Sequence, residues 1–365
     1  MAEHTRPSPD TLLGRPEQHH YSEAAHRLVD GRRVLVTGAA GSIGSELVRQ
    51  LHHLDPATVI EVDIDEGRLH ALQLELRGVG FMPGSPARLV DVTHRATLES
   101  LVAAERPEIV FHAAAHKHLA MLERFPCQAV RSNVLGTRNV VEAAVRHGAR
   151  TVVNVSTDKA ADPRSVLGGT KRLAEQVAGS ARRNGTDVAS VRFGNVLGSR
   201  GSFLDTLAYQ MTNDLPVTLT HPAVTRYLMS IREAASLVVE AAAMAGRGGA
   251  FVLDMGQPVP MIDLITAYAE QSGLPAPDIR IIGLQPGEKL HEVLFSGAED
   301  HTGTDVEGIW HTDVPSLDVE RDLLVRRLVA AASESDEDRT WDLLGELFPA
   351  LSRQGPVPIG LAAPS

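Results

Sequence analysis

Ser156, Thr157, Asp158 and Lys159 stand together at the end of the apolar, β-branched run Thr151–Val155, and Lys171 follows on a stretch of helical character. A hydroxyl, an acid and a base at the end of a buried strand are what proton-transfer chemistry needs. Such groups act only on a substrate that other elements bring to them. The upstream elements therefore decide what the cluster can do.

Arg33–Thr37 (RVLVT) reads as a short buried strand. Gly38-Ala39-Ala40-Gly41-Ser42-Ile43-Gly44 follows at once, and a helical pattern continues through His53. In this GxxGxxG spacing Gly38 allows the tight turn and Gly41 lets the backbone approach a pyrophosphate. Gly44 lets helix and strand pack closely, with the helix N-terminus facing the anion. The next strand, Thr58–Asp63, ends in an acid placed to accept hydrogen bonds from an adenosine ribose. Asp63 favours NAD over NADP, whose 2′-phosphate it would repel, and Arg68 softens that preference. Asp65 and Glu66 are expected to cap the helix beginning near Gly67.

Three more units repeat the pattern. Arg88–Asp91 is a strand ending in an acid, followed by Val92 and a helix over Arg95–Ala104. Glu108–His112 runs into Ala113-Ala114-Ala115, small residues on which a flat ligand can lie. A helix from about Cys127 to His147 leads into Thr151–Val155. Strands that alternate with helices and lack period-2 polarity predict an α/β fold with a doubly wound parallel sheet. Ligands of such sheets bind beyond the strands' carboxyl ends. Asp63, Asp91, Ala113, Ser156 and Asn195 all fall at such ends.

The 365 residues are 43% hydrophobic and 22% charged, ordinary for a globular protein with a sizeable core. A formal charge of −11 argues against a nucleic-acid or anionic-membrane surface. The single cysteine, Cys127, permits no intrachain disulfide, fits a cytoplasmic setting, and reads as a small residue in a helix's first turn. There is no apolar run long enough to span a membrane, no signal peptide, no internal repeat and no zinc-ligand spacing. His19 and His20 read as a solvated pair.

The motifs together resemble the extended short-chain dehydrogenase/reductase superfamily, and within it the CapD-like nucleotide-sugar 4,6-dehydratases of polysaccharide biosynthesis. They are TGAAGSIGSE (37–46), FHAAAHKHLAMLE (111–123), NVLGT (133–137), STDKA (156–160), GGTKRLAE (168–175), VRFGNVLGSRGS (191–202), VTLTHPAVTRYLM (217–229), FVLDMG (251–256) and LQPGEKLHE (284–292). The resemblance implies a Rossmann core, bound NAD or NADP, and a redox-neutral lyase acting on UDP-GlcNAc or a related UDP-sugar. Its steps are oxidation at C4, loss of water across C5–C6 and hydride return to C6. Lys159 would be the C5 base, and Asp158 the acid that assists loss of the C6 hydroxyl. Lys171 would bind the nicotinamide ribose, and Thr157 or Ser156 would contact the sugar near O4. Cofactor contacts would fall on Gly38, Gly41, Ser42, Ile43, Gly44, Asp63, Asp91, Val92, Ala113, Ala114, Ala115 and Lys171, and on Asn195, which is shared with the sugar.

Lys117 and His118 are candidates for sugar hydroxyls. Arg226 is the candidate for the UDP diphosphate, because a guanidinium pairs with phosphate oxygens in a fork, and Arg200 is a second of the same type. Glu288 lies in a loop and helix start, Gln285–Leu290, that the resemblance places over the nucleotide. Asn133 is expected to bond to backbone near the active-site strand. One position departs from the superfamily. Its tyrosine, four residues before the lysine, is Leu167 here, which cannot take a proton; the large CapD-like members resemble this chain in carrying methionine there. Asp158 is then the first candidate for the 4-OH base, with Lys171 or an ordered water behind it.

The expected organisation is a loosely packed arm (1–30), a dinucleotide-binding core (31–194), mainly a smaller substrate lobe (195–300), and C-terminal helices with a disordered end (301–365). Strands near 226–256 would return to the core sheet. TLLGRPE (11–17) resembles the linker that follows the membrane region of other members, which suggests a soluble version. Helices are expected over Phe203–Met211, from the Ser230 capping box to Met244, and near Leu317–Ala331 and Asp336–Leu347. The resemblance also implies a homo-oligomer built through helices flanking the sheet. The alternatives are an epimerase or 5,6-dehydratase on the same scaffold, and a non-catalytic NAD(P)-binding protein.

Overall fold

In the computed structural model, residues 7–13, 15, 17, 21–80, 84–182, 185–351 and 353 are described. His19, His20 and the expected disordered end, 355–365, lie outside them. Six parallel strands form the frame: β1 (Arg33–Thr37), β2 (Thr58–Asp63), β3 (Ala87–Leu89), β4 (Ile109–His112), β5 (Thr151–Val155) and β6 (Asp187–Arg192). They lie in the order β6-β5-β4-β1-β2-β3. Ala250–Leu253 adds to β6 in parallel, and Ile309–Thr312 and His301–Gly303 close that edge antiparallel. The order reverses next to β1, which opens a crevice at the carboxyl ends of β1 and β4.

Burial follows the pleat. Val34 and Val36 face a layer made by helices Glu23–Val29, Ser42–Leu51 and Ile231–Ala243, whereas Leu35 faces helices Arg95–Glu105 and Gly136–Arg146. Both faces are covered, so the strands are mostly apolar, as in other parallel sheets. The chain fold is therefore the expected Rossmann architecture.

Three expectations change. The N-terminal segment is packed: Ala25 and Val29 are fully buried, Leu12 joins the second lobe's core, and Ser22 Oγ donates to Glu240 Oε2 at 2.8 Å. The long helix after Cys127 is three pieces, Pro126–Ala129, a π-turn over Val130–Leu135, and Gly136–Arg146. Segment Gln285–Leu290 forms turns and contains no helix. The C-terminal helices, Val319–Ser333 and Glu337–Leu347, pack Val325, Leu328, Leu344 and Leu347 against helix Val166–Ser180, giving that helix its own apolar cover.

Leaving β6, the chain enters Asn195–Leu197 and helix Phe203–Thr212. With Val217–Leu219 and Met261–Gln271 this helix builds a separate small core around Leu207, Val217 and Ile265. The second lobe thus stands over the carboxyl edge of the sheet.

Candidate active site

The glycine loop is shaped by what a side chain would strike. Gly38 has φ +67°, and a Cβ there would lie 2.6 Å from the backbone nitrogen of Ala114. A Cβ on Gly44 would lie 1.9 Å from the Gly38 carbonyl oxygen. Helix Ser42–Leu51 starts from Gly41 with no side-chain cap, so its first amides are open to an anion. Asp63 accepts from Ala40 N at 2.8 Å and Asp65 N at 2.9 Å, which fixes its carboxylate at the rim of the loop with lone pairs to spare. Asp65 caps the following helix by accepting from Arg68 N, as expected. These features fit a dinucleotide: a cradle that only glycine permits, an uncapped helix N-terminus and an acid at the end of β2.

Asp91 accepts from Thr93 N at 2.8 Å, and Val92 is buried with its carbonyl receiving Asn139 Nδ2 at 3.0 Å. Both sit beyond β3 on the cofactor side. Ala113 donates to the Thr37 carbonyl at 3.0 Å and, with Ala115, lines the floor of a cleft of about 660 Å³. Ser42, Ile43, Gly44, His116, Lys117 and His118 line the same cleft.

At the other end of the cleft β5 delivers the candidate acid and base. Asp158–Ala160 forms a 3-10 turn, held to β6 because Asp158 N donates to the Phe193 carbonyl at 3.1 Å. Asp158 Oδ1 accepts from Thr157 Oγ1 at 2.9 Å and from Lys159 Nζ at 3.0 Å. Lys159 Nζ also lies 3.4 Å from Asn195 Oδ1 and 3.5 Å from Glu292 Oε1. Burial pulls the Lys159 ammonium down, but Asp158 and Glu292 more than offset it and hold it above the usual lysine value. Lys171 donates to the Val155 carbonyl at 2.9 Å; burial lowers it to about 8, with Glu175 opposing. Leu167 lines the cleft in the tyrosine position, one turn before Lys171.

Ser156 lines the cleft with its hydroxyl proton already committed. Its hydroxyl donates to Glu175 Oε1 at 2.6 Å, so only its lone pairs remain for a ligand. Glu175 in turn holds Arg192 at 2.7 and 2.8 Å, and Arg192 also holds the partly buried Glu299, an ion cluster directly behind β5 and β6.

Behind the cleft floor, Thr37, His112 and Thr137 form a buried hydrogen-bonded row, at 2.7 and 3.0 Å. Burial, reinforced by the Lys171 charge, lowers His112 to about 3, so it is neutral at physiological pH. Asn133, on the π-turn, accepts from His116 N and donates to His116 O, which is the expected backbone role. The π-turn is what aims Asn133 at the strand end, a common use of such turns at functional sites.

Two expected substrate contacts, Arg226 and Glu288, do not line the cleft, whereas Arg200 lines it beside the glycine loop. Arg226 is buried, and its terminal nitrogens bond to the carbonyls of Thr225 and Lys289 and, at 2.6 Å, to Glu288. Arg226 and Glu288 therefore meet each other and fasten segment 285–292; both terminal nitrogens of the proposed diphosphate fork are already taken by protein. Arg200 lies on the cofactor loop, with its amide donating to Ser42 Oγ at 3.0 Å and its guanidinium to the Ala40 carbonyl. Lys117 Nζ donates to Ser199 Oγ at 3.2 Å and remains in the cleft with His118. The residues the motif reading left unassigned are His112, Glu175, Glu292 and Glu299. Glu175 and Glu292 close two of the quoted motifs, GGTKRLAE and LQPGEKLHE, and their position there was the available signal.

Residues 34–313 match the family model described as "Polysaccharide biosynthesis protein". The chain is 40% identical over 348 residues to the probable polysaccharide biosynthesis protein EpsC of Bacillus subtilis, covering 90% of this chain and 58% of EpsC. It is 40% identical over 330 residues to the capsular polysaccharide biosynthesis protein CapD of Staphylococcus aureus, covering 88% and 54%. The chain thus spans a little over half the length of these curated relatives. Among solved structures, Pen from Bacillus thuringiensis superposes with a TM-score of 0.71 at 27% identity, covering 81% of this chain and 98% of Pen.

Proposed function

The chain belongs to the polysaccharide biosynthesis protein family, and from that premise we propose that it is an NAD(P)-dependent nucleotide-sugar 4,6-dehydratase acting on UDP-GlcNAc or a related UDP-hexose. The observation that carries this reading is the Asp158–Lys159 pair, an acid and an amine 3.0 Å apart beside Lys171, with leucine where a tyrosine base would stand. A C5/C6 elimination needs a base at C5 and an acid at the C6 hydroxyl, whereas C4 epimerisation needs no C5 base.

The glycine loop, Asp63 and Lys171 would hold the cofactor, which supplies hydride removal at C4 and hydride return at C6 when bound. Asp63 favours NAD. Lys159 removes the C5 proton, and the electron pair moves toward the C4 carbonyl. Asp158 protonates the C6 oxygen as water leaves, having served as base for the 4-OH. Thr157, bonded to the same carboxylate oxygen as Lys159, orients Asp158. Lys117 and His118 would contact the sugar hydroxyls, and Asn195 lines the cleft with Lys159, its Oδ1 3.4 Å from Lys159 Nζ.

The test is incubation of the purified protein with NAD and UDP-GlcNAc in D2O, read by mass spectrometry and proton NMR. Loss of water with deuterium at C5, abolished in Lys159→Ala, supports the reading. UDP-GalNAc free of deuterium identifies an epimerase instead, and inertness toward UDP-GlcNAc, UDP-GalNAc and UDP-glucose overturns the assignment.

A further inference from the structure

Among the described residues, seven buried side-chain polar atoms have no hydrogen-bond partner, and three of them lie on one line of alternating charge. The line runs Asp158, Lys159, Glu292, Lys289, Asp162. Asp158 Oδ2, Glu292 Oε2 and Lys289 Nζ are the three orphans. Lys159 Nζ stands 3.0 Å from Asp158 and 3.5 Å from Glu292 Oε1; Lys289 Nζ stands 3.7 Å from Glu292 Oε2 and 3.3 Å from Asp162 Oδ2. The side chain of Glu292 is 2% exposed and that of Asp162 39%, so the line leads from the cleft, under the second lobe, to solvent. Arg226 faces Lys159 from the side, and Arg164 flanks Asp162.

Leaving a buried polar atom without a hydrogen bond is costly, and three such atoms in one ion-paired run call for an explanation. Each gap on this line is a small shift from hydrogen-bond distance. The resting arrangement also poses a chemical problem, because an ammonium held between two carboxylates cannot accept a proton from carbon.

We propose that Glu292 and Lys289 form a proton relay between Lys159 and solvent. The proposal rests on the dehydratase reading. Lys159 first gives one proton to Glu292: an N–H bond breaks, an O–H bond forms, and the charged pair becomes a neutral amine and a neutral acid. Lys289 passes one of its protons to Asp162, which releases it to water, and then takes the Glu292 proton. Glu292 is again a carboxylate and Lys289 again an ammonium. The neutral Lys159 amine then takes the C5 proton and becomes an ammonium, and a second pass along the relay sends that proton to solvent. Reversal reloads the amine with a solvent proton that Lys159 delivers to C5, and one further reversal restores the resting ammonium. Glu292 and Lys289 touch neither sugar nor cofactor; they are positioning residues that act through Lys159.

The experiment measures isotope at C5, which a merely structural role would not move. Full-length wild type, Glu292→Gln, Lys289→Met and Asp162→Asn are given NAD and UDP-GlcNAc in D2O, and kcat, KM and retained protium at C5 are recorded. Wild type should give product with deuterium at C5. Glu292→Gln should lower kcat about 10²-fold with KM nearly unchanged, and Glu292→Asp should restore part of it. Lys289→Met and the surface variant Asp162→Asn should raise protium retention at C5, because the proton taken by Lys159 returns before it exchanges. Variants that bind NAD normally yet show wild-type kcat and wild-type isotope content overturn the relay alone. A wild type that eliminates no water overturns the dehydratase reading and the relay with it.

Discussion

Replacing Arg192 by methionine tests whether the ion cluster behind β5 holds the active-site strand end in place. Arg192 is fully buried, and its guanidinium makes four bonds of 2.7 to 2.8 Å to Glu175 and Glu299. Arg172 contributes the second positive charge, at 2.6 Å from Glu299 and 3.2 Å from Glu175, so two cations balance two anions. Arg192→Met leaves one uncompensated buried negative charge, and breaking a buried pair in this way costs about 3–5 kcal/mol. That is a large part of an ordinary folding free energy. The assay is urea unfolding followed by circular dichroism at several pH values. Burial alone would raise Glu299, but the hydrogen bonds and charge of Arg192 hold it at about 2. Its folded value is thus below its unfolded value, so its stabilisation is complete above the ordinary carboxylate range and is lost only as pH falls toward 2. In the variant burial prevails and the orphaned carboxylate titrates above its unfolded value. The folded state then binds the extra proton, and the gap to wild type should narrow from pH 8 to pH 5. The double variant Arg192→Met/Glu175→Met restores neutrality and should recover at least about 1 kcal/mol in a double-mutant cycle. A loss below about 1 kcal/mol in the single variant, or a gap independent of pH, refutes the reasoning.

Gly44→Ala should lose NAD binding in a titration calorimeter and about 1–3 kcal/mol of stability, because the new methyl would lie 1.9 Å from the Gly38 carbonyl oxygen. Lys171→Met should weaken NAD binding by roughly tenfold to a hundredfold, the worth of a hydrogen bond from a charged donor. Because burial lowers Lys171 to about 8, wild-type affinity should decline between pH 7 and pH 9 as the ammonium deprotonates, while the variant should stay flat. Glu123, pushed up to about 7 by burial, accepts from Val166 N at the start of the active-site helix. Its folded value exceeds its unfolded one, so ionisation penalises the folded state as pH rises through 7. Glu123→Gln should therefore gain on wild type by at least about 1 kcal/mol between pH 5 and pH 8 in urea midpoints.

What could be read from the chain in advance was whatever its own local geometry decides. The glycine loop follows a strand and opens a helix; Leu167 and Lys171 share a helix face; Ser230 and Glu233 cap each other within one turn, and the capping box is present as expected. In each case the partner is within four residues or at a neighbouring strand's end, where sheet topology fixes the encounter. The misplacements share the opposite property. Arg226 has a fork of donors suited to phosphate, a property of the residue, but Glu288 and the Lys289 and Leu290 carbonyls, which arrive from far along the chain, occupy it. Ser156 offered a hydroxyl, and the ion cluster behind β5 fixes its direction. The N-terminal segment reads as an arm because it is polar, yet Leu12, Ala25 and Val29 are buried.

The same distinction bears on the chemistry. Asp158 and Lys159 are adjacent, so an acid beside a base could be inferred from the motif alone. A second carboxylate on the same ammonium could not, because Glu292 reaches Lys159 only once the second lobe has folded over the sheet edge. Two carboxylates around one lysine make it a strong cation, whereas one carboxylate beside it leaves it closer to a base. On the proposed reading the local motif names the acid and the base, and the distant partner sets the charge of one of them. Folding the second lobe onto the 158–160 turn couples that protonation state to the position of segment 285–292, which Arg226 holds through Glu288. On this argument Arg226 reaches the reaction through the lysine's charge, from a place where it touches no phosphate.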